Sequence, residues 1–358
     1  MPIIEFVKIY KYNLLKGLLV LIILAWPSFI NEVFNENFNQ SNFYKYFSGD
    51  GRLQGSPDDV NKTLESNSPT IINTLVFGGD IMLSRAVNQK MSATNNYNWP
   101  LESIATLFSE ADLAVANLES PFLLNSNYET LDNSLIFKAN PKSVQALNLA
   151  GFDVLSLANN HILNQGLKGL KDTRQILDEA GIAYTGLKEN NLIIKEVNGI
   201  KFAFLAYSYD SSSSLVASLD VKQLVSDLKI AKDQSDTVIV IMHAGTEYSR
   251  LPNWQQKEFA HKAIDNGADL IVGHHPHWPQ IIEKYQGKTI IYSLGNLVFD
   301  QMWSRETSEG LVAKVYFKNK IIDYIEYIPI EIRNYGQALI MTDELRKEQL
   351  LKNINVLN

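Results

Sequence analysis

Cysteine is absent from all 358 residues. Its absence excludes disulfides, thiolate–zinc sites, thiol nucleophiles and lipidation on cysteine together, and it is compatible with an oxidising compartment without requiring one. An excess of basic residues is missing too: 32 Lys and Arg face 39 Asp and Glu, a net charge of −7. That balance offers no general footprint for nucleic acid. An anionic ligand would have to be held locally, by a metal ion or a few cationic side chains. Internal repeats are lacking, and no uninterrupted apolar run reaches the roughly 20 residues of a membrane-spanning helix. What the chain does have is 46% hydrophobic residues, enough for the core of one large α/β domain with a tail, or of two average domains.

The N-terminus comes nearest to a membrane segment. Lys8, Lys11 and Lys16 precede an apolar run from Gly17 to Ile30, broken only by Pro27 and Ser28. A basic flank before a short apolar segment is the pattern of a secretory signal or a signal anchor. Including Tyr10 to Leu15 gives spanning length if Lys16 snorkels to the interface, and no small-x-small cleavage site follows. Residues 1–30 are therefore expected to form a single-pass anchor, with a cleaved signal or a buried soluble helix as alternatives. The lysines would leave the following domain outside the cytoplasm. Residues 31–70, rich in Asn, Ser, Gly, Asp and Glu, read as a linker.

From Ile71 the pattern changes. Apolar, β-branched runs recur at Ile71–Phe77, Leu113–Ala116, Val154–Leu157, Phe202–Tyr207, Thr237–Met242, Leu270–Val272 and Thr289–Ser293. Helical patterns lie between many of them, notably Gly166–Ala180, Val221–Lys232 and Trp254–Asn266. Buried strands alternating with helices predict a layered α/β fold. Gly310–Ile332 reads instead as a hairpin turning at Lys318-Asn319-Lys320.

Five of the strands run into polar residues, at the carboxyl ends where open α/β sheets collect ligands. These endings are Gly78-Gly79-Asp80, whose glycines permit a tight turn, Asn117-Leu118-Glu119, Asn159-Asn160-His161, His243-Ala244-Gly245-Thr246-Glu247-Tyr248 and Gly273-His274-His275-Pro276-His277. Five of the six histidines fall there, His261 being placed in a predicted helix. A lone histidine after a strand is usually a satisfied polar residue. Five, joined by acids and an asparagine, point to a metal site. Imidazole and carboxylate without thiolate suit Mn²⁺, Zn²⁺ or iron.

In this order the motifs resemble the CapA (PgsA) family of bacterial capsule-synthesis proteins, and Tyr292-Ser293-Leu294-Gly295-Asn296-Leu297-Val298-Phe299-Asp300-Gln301 is similar to that family's closing motif. The resemblance covers about residues 72–330. The family is related to the calcineurin-like metallophosphoesterases. The resemblance therefore implies a four-layer α/β/β/α sandwich, set at residues 71–335; 336–358 read as a tail, with Leu345–Asn358 a polar terminal helix or a frayed end. It implies one or two divalent ions per chain. Asp80 and His277 would bind the first, Asn160, His243 and His275 the second, and Glu119 would bridge both, with His161 as a proton donor near the substrate. Asn117, Glu247, His274 and Asn296 would support these ligands or meet the substrate. Glu247 also reads as a general base or a helix cap. Two departures stand out. Met82 occupies a position where metallophosphoesterases usually carry His, and a thioether is a poor ligand for a hard divalent ion, so the first site is expected to be the weaker. Asn117-Leu118-Glu119 replaces the usual Gly-Asp-x-x-Asp.

The function implied is a metal-dependent hydrolase or transferase in the synthesis or export of poly-γ-glutamate or a related polymer. Its ligand would be an anionic polymer or a phosphorylated or γ-glutamyl substrate. Its partners would be the membrane and other capsule-synthesis subunits, with no nucleic acid. The alternative is a non-catalytic polymer-binding or scaffold component of the same machinery. Retention of His161 favours catalysis, and the absence of His at position 82 argues the other way.

Overall fold

Apolar runs too continuous for a solvent-facing strand demand cover on both faces, and the architecture supplies it. The computed structural model describes residues 70–128, 134–209 and 213–354. The expected anchor, and all but the last residue of the expected linker, lie outside them. Strands β1 (Ile72–Ile81), β2 (Leu113–Leu118), β3 (Val154–Ser156) and β4 (Ala183–Thr185) run side by side in parallel. The next six, β5 (Ile193–Val197), β6 (Ile200–Ser208), β7 (Thr237–His243), β8 (Leu270–His274), β9 (Ile282–Tyr285) and β10 (Lys288–Ile291), form a second sheet in the order β5-β6-β7-β8-β10-β9. The chain then returns to the first sheet. β11 (Asn296–Val298) pairs with β1, while β12 (Glu309–Lys318), β13 (Ile321–Arg333) and β14 (Gln337–Ile340) extend it to β14-β13-β12-β1-β2-β3-β4. Both sheets mix parallel and antiparallel pairs.

Side-chain alternation along β6 identifies the layers. Phe202, Phe204 and Ala206 join the core shared with β1 and β2 of the first sheet. Ala203, Leu205 and Tyr207 point the opposite way, into a second core with Leu224 and Leu228 of α5 and Phe259 and Ala260 of α6. The helices are α1 (Arg85–Thr94), α2 (Ala105–Ser109), α3 (Val144–Ala150), α4 (Gly166–Ala180), α5 (Val221–Gln234), α6 (Trp254–Asp265) and α7 (Glu344–Asn353). Local chemistry starts several of them. Asp220 accepts the first amides of α5, Asn253 and Gln256 form a reciprocal cap on α6, and Asp343 caps α7, which satisfies N–H groups that a helix leaves without partners.

The hairpin turns as expected, between Lys318 and Ile321, with Asn319 in the left-handed region. Two expectations are corrected. The boundary at 335 falls inside the fold, because β14 adds to the sheet edge and α7 packs down with Leu350 and Ile354 buried. Gly78 and Gly79 do not make a turn but lie within β1. A Cβ on Gly79 would stand 2.1 Å from the Gly295 carbonyl oxygen, so the missing side chain is what lets the segment before β11 approach β1. Among the described residues no helix is long and apolar enough to cross a membrane.

Candidate metal centre

The carboxyl ends of β1, β2, β3, β7 and β8 bring both sheets' polar endings to one place. Their order is set by a chain of amides anchored on backbone. Asn159 Oδ1 accepts the N–H groups of His161 and Ile162 (3.1 and 2.8 Å), so its Nδ2 donates to Asn117 Oδ1 and the Leu118 carbonyl (3.1 and 2.8 Å). Asn117 must then present its own Nδ2 inward, where it donates to Asp80 Oδ1 at 2.8 Å and lies 3.4 Å from Glu119 Oε2 and 3.3 Å from His243 Nδ1. Asp80, Asn117 and Glu119 are fully buried.

Two imidazoles have their tautomers fixed from behind. Asn296 Nδ2 donates to Gln301 Oε1 and the Thr307 carbonyl (3.1 and 2.9 Å), leaving its Oδ1 to accept from His277 Nδ1 at 2.9 Å. Asn164 Oδ1 accepts the Phe137 N–H at 2.7 Å and His161 Nδ1 at 3.0 Å. With the proton on Nδ1, each neutral ring turns the lone pair of Nε2 toward the interior. Both lone pairs face Glu119 Oε1, at 4.0 Å from His161 and 3.8 Å from His277, and His243 Nε2 lies 3.9 Å from the same oxygen. That oxygen is buried and makes no hydrogen bond. Buried polar atoms are nearly always partnered, so an acceptor faced by the lone pairs of His161 and His277 marks a place for a cation.

The surroundings fall into two corners that share Glu119. Asp80, Glu119 and His277 have ligand atoms within 4.8 Å of one another. On the other side Asn160 Oδ1 lies 2.9 Å and His275 Nδ1 3.2 Å from His243 Nε2. Residues that the resemblance assigned to each ion thus lie near one another, with Asp80, Glu119 and His277 alone, among the described residues, forming a cluster of His and carboxylate ligand atoms. His274, expected to support the ligands, is buried with Nδ1 3.2 Å from Asp80 Oδ1. His275 and His277 both have positive φ, 96° and 58°, as does Tyr248 at 59°, conformations that side chains adopt at a cost and that cluster where function fixes them. Met82 is fully buried, and its Sδ accepts the Ser84 N–H at 3.0 Å.

Burial sets the electrostatics. It pushes Glu119 well above the usual carboxylate range, and the neighbouring Asp80 adds to the effect. Burial also opposes ionisation of Asp80, but contacts with His274 and His277 outweigh it and hold Asp80 well below that range. Burial lowers His161, against the support of Asn164, and lowers His243 further with help from His275. The free centre thus carries an ionised Asp80 beside His161 and His243 held toward the neutral form, the state in which an imidazole can ligate.

Glu247 is exposed in the turn after β7 and acts on the centre through charge. It does not cap the following helix, since Asn253 does. Residues without a sequence assignment complete the site. Arg85 is buried and paired with Asp300, and Phe137 stacks on His161 with centroids 4.1 Å apart. Asn159 and Asn164 hold the loop that carries His161. Asn159 lay within a quoted motif. Arg85 and Phe137 gave no signal, because their importance comes from what folds over them.

With this geometry established, comparison with known proteins is informative. The profile of the family described as "Bacterial capsule synthesis protein PGA_cap" matches residues 74–301. "PGA biosynthesis protein CapA" of Bacillus subtilis is 32% identical over 292 residues, covering 78% of this chain and 76% of that protein. "Capsule biosynthesis protein CapA" of Bacillus anthracis is 32% identical over 302 residues, covering 78% and 72%. Among solved structures, a phosphatase from Mycoplasma pneumoniae is 17% identical with a TM-score of 0.48, covering 80% of this chain and all of that one. A putative 5'-nucleotidase from Staphylococcus aureus is 15% identical with a TM-score of 0.45, covering 78% and 58%.

Proposed function

The chain belongs to the bacterial capsule synthesis protein family PGA_cap, and from that premise we propose that it is a metal-dependent hydrolase of capsule polymer biosynthesis. The reading takes its four layers as a sandwich of metallophosphoesterase type. The observation that carries it is the orphaned Glu119 Oε1, faced by three imidazole nitrogens at 3.8–4.0 Å. Asp80, Glu119 and His277 would hold one divalent ion, and Asn160, His243 and His275 with Glu119 a second. Such an ion supplies Lewis acidity toward a phosphoryl or acyl oxygen. The rest is done by side chains. Asn117 orients Asp80 and Glu119. Asn296 holds His277 with Nε2 inward. His161, whose Nδ1 is tied to Asn164, takes at Nε2 the proton given up by the attacking water and passes it to the leaving-group oxygen or nitrogen.

The substrate class is an anionic polymer or a phosphorylated or γ-glutamyl compound, and the domain works outside the cytoplasm, tethered by residues 1–30 and beside other capsule-synthesis subunits. Two variants test the assignment. His243→Ala should lose metal by elemental analysis together with hydrolysis of phosphodiester and γ-glutamyl model compounds. His161→Ala should keep its metal and lose about 10²–10⁴-fold in turnover, the usual contribution of a general acid. If His161→Ala restores capsule formation fully while His243→Ala does not, the metal serves binding or structure, and the chain is a polymer-binding scaffold.

A further inference from the structure

A buried ion pair lies behind the centre without touching Glu119. Arg85, 3% exposed, has φ of +48° and meets Asp300, 7% exposed, through Nε at 3.1 Å and through a second contact of Nη2. Its Nη1 donates to the Ser134 carbonyl, and the Ala86 N–H reaches Asp300 Oδ2, both at 3.1 Å. Arg85 is therefore held at each of its three nitrogens, facing no open ligand position. What it does face is aromatic. Its guanidinium carbon lies 4.9 Å from the Phe137 ring centroid and 5.7 Å from that of Phe299, and the two rings meet edge to face at 5.9 Å.

Each ring backs a different histidine. Phe137 stacks on His161 at 4.1 Å, and Phe299 meets His277 edge to face at 4.8 Å. We propose that the Arg85–Asp300 pair is a positioning brace, which clamps Phe137 and Phe299 and through them aims the Nε2 atoms of His161 and His277 at one point. A cation over aromatic faces fixes ring planes, and a bidentate guanidinium–carboxylate pair is the side-chain contact best suited to fix the cation. A hydrogen bond from Nδ1 alone is lost, and the tautomer with it, whenever the imidazole flips away from its acceptor; a ring wall removes that freedom. The brace links the first residue of α1, which follows β1, to the segment after β11, and the pairing of those two strands closes this end of the first sheet.

The proposal rests on the metal-centre reading only in giving the two imidazoles a purpose, and its test separates the two. The full chain has six histidines, so selective ¹⁵N labelling reports each imidazole tautomer, and zinc ion added alone reports affinity. Phe137→Leu should let His161 mix tautomers while His277 stays in its single form. Phe299→Leu should do the reverse and weaken zinc binding by about 10–100-fold, the loss typical when the support of a ligand is removed. Arg85→Lys keeps the charge but not the fork, and should release both rings and lower zinc affinity by a similar factor. A folded Arg85→Lys chain with both rings in single tautomers and unchanged affinity overturns the brace. If Arg85→Lys does not fold, the two leucine variants decide, and rings that stay fixed in both overturn it equally. A wild-type chain that binds no zinc sinks the metal centre but leaves the tautomer measurements to judge the brace.

Discussion

Replacing Glu119 with glutamine should stabilise the metal-free protein, although Glu119 sits at the heart of the candidate centre. The carboxylate is fully buried, its Oε1 has no hydrogen-bond partner, and three imidazole nitrogens point at it. Its pKa is raised, first by burial and then by Asp80. A carboxyl with a raised folded pKa has its full stabilising contribution below the unfolded value, about 4.3 for Glu, and loses it as pH climbs toward the folded value. At neutral pH the ionised or reluctantly protonated group is a net cost. Glutamine removes the charge and can turn its Oε1 to Asn117 Nδ2, the present partner of Glu119 Oε2. Its amide nitrogen would then face the lone pairs of His161 and His277. Relieving one unsatisfied buried group amounts to about 1–3 kcal/mol, and roughly 2 °C in melting temperature per kcal/mol is expected for a domain of this size. Calorimetry in chelator at pH 7 should thus find Glu119→Gln melting a few degrees above wild type, with the gap closing as pH falls below about 4.3. Added metal should reverse the order, since ligand at about 100 times its Kd stabilises by about 2.7 kcal/mol and only wild type would retain the shared carboxylate. A variant that melts lower than wild type in chelator would refute the reasoning, because Glu119 would then have a partner that the geometry does not reveal.

Asn296→Ala removes the acceptor that fixes His277 Nδ1; metal affinity measured by calorimetric titration should fall about 10–100-fold, with Asn296→Asp recovering part of it. Gly79→Ala places a Cβ 2.1 Å from the Gly295 oxygen, and urea unfolding should show a loss of ~3 kcal/mol or more, the upper end of overpacking costs. A reporter enzyme fused after Ser66 should be active only when it functions outside the cytoplasm; activity on the cytoplasmic side would remove the extracytoplasmic reading.

The strands that carry the centre were legible because they are continuous apolar runs ending in chemistry: Phe77 into Asp80, Val115 into Glu119, Met242 into His243. Short edge strands were not. Ala183–Thr185 and Asn296–Val298 have three residues each, too few to show a period, and they exist because neighbours offer them a ladder. Gln337–Ile340 read as tail for the same reason. Within the site, the first layer of polar residues was readable from its place at strand ends. The layer behind it was not, since Arg85 at the start of α1 and Phe137 and Asn164 in loops are ordinary residues until folding brings Asp300, His161 and Phe299 against them. His274 is the instructive case. Motif position placed it behind the ligands, and as the last residue of β8 it points inward to Asp80, on the face that strand parity gives it.

Because the first sheet is begun by the first four strands and finished by the last four, its assembly follows an awkward timetable. β1 pairs along Ile72–Phe77 with Lys318–Ala313 of β12, near the far end of the chain. A polypeptide emerging N-terminus first must keep that edge of β1 bare while the whole second sheet is made, and pairings so distant in sequence are slow to form. Bare edges recruit other strands. Chain termination before Glu309 would therefore leave an open-sided sheet prone to self-association in place of a smaller domain. The register Asp80 with Asn296 closes only on the return pass, so the residues gathered at that end acquire their final spacing among the last events of folding.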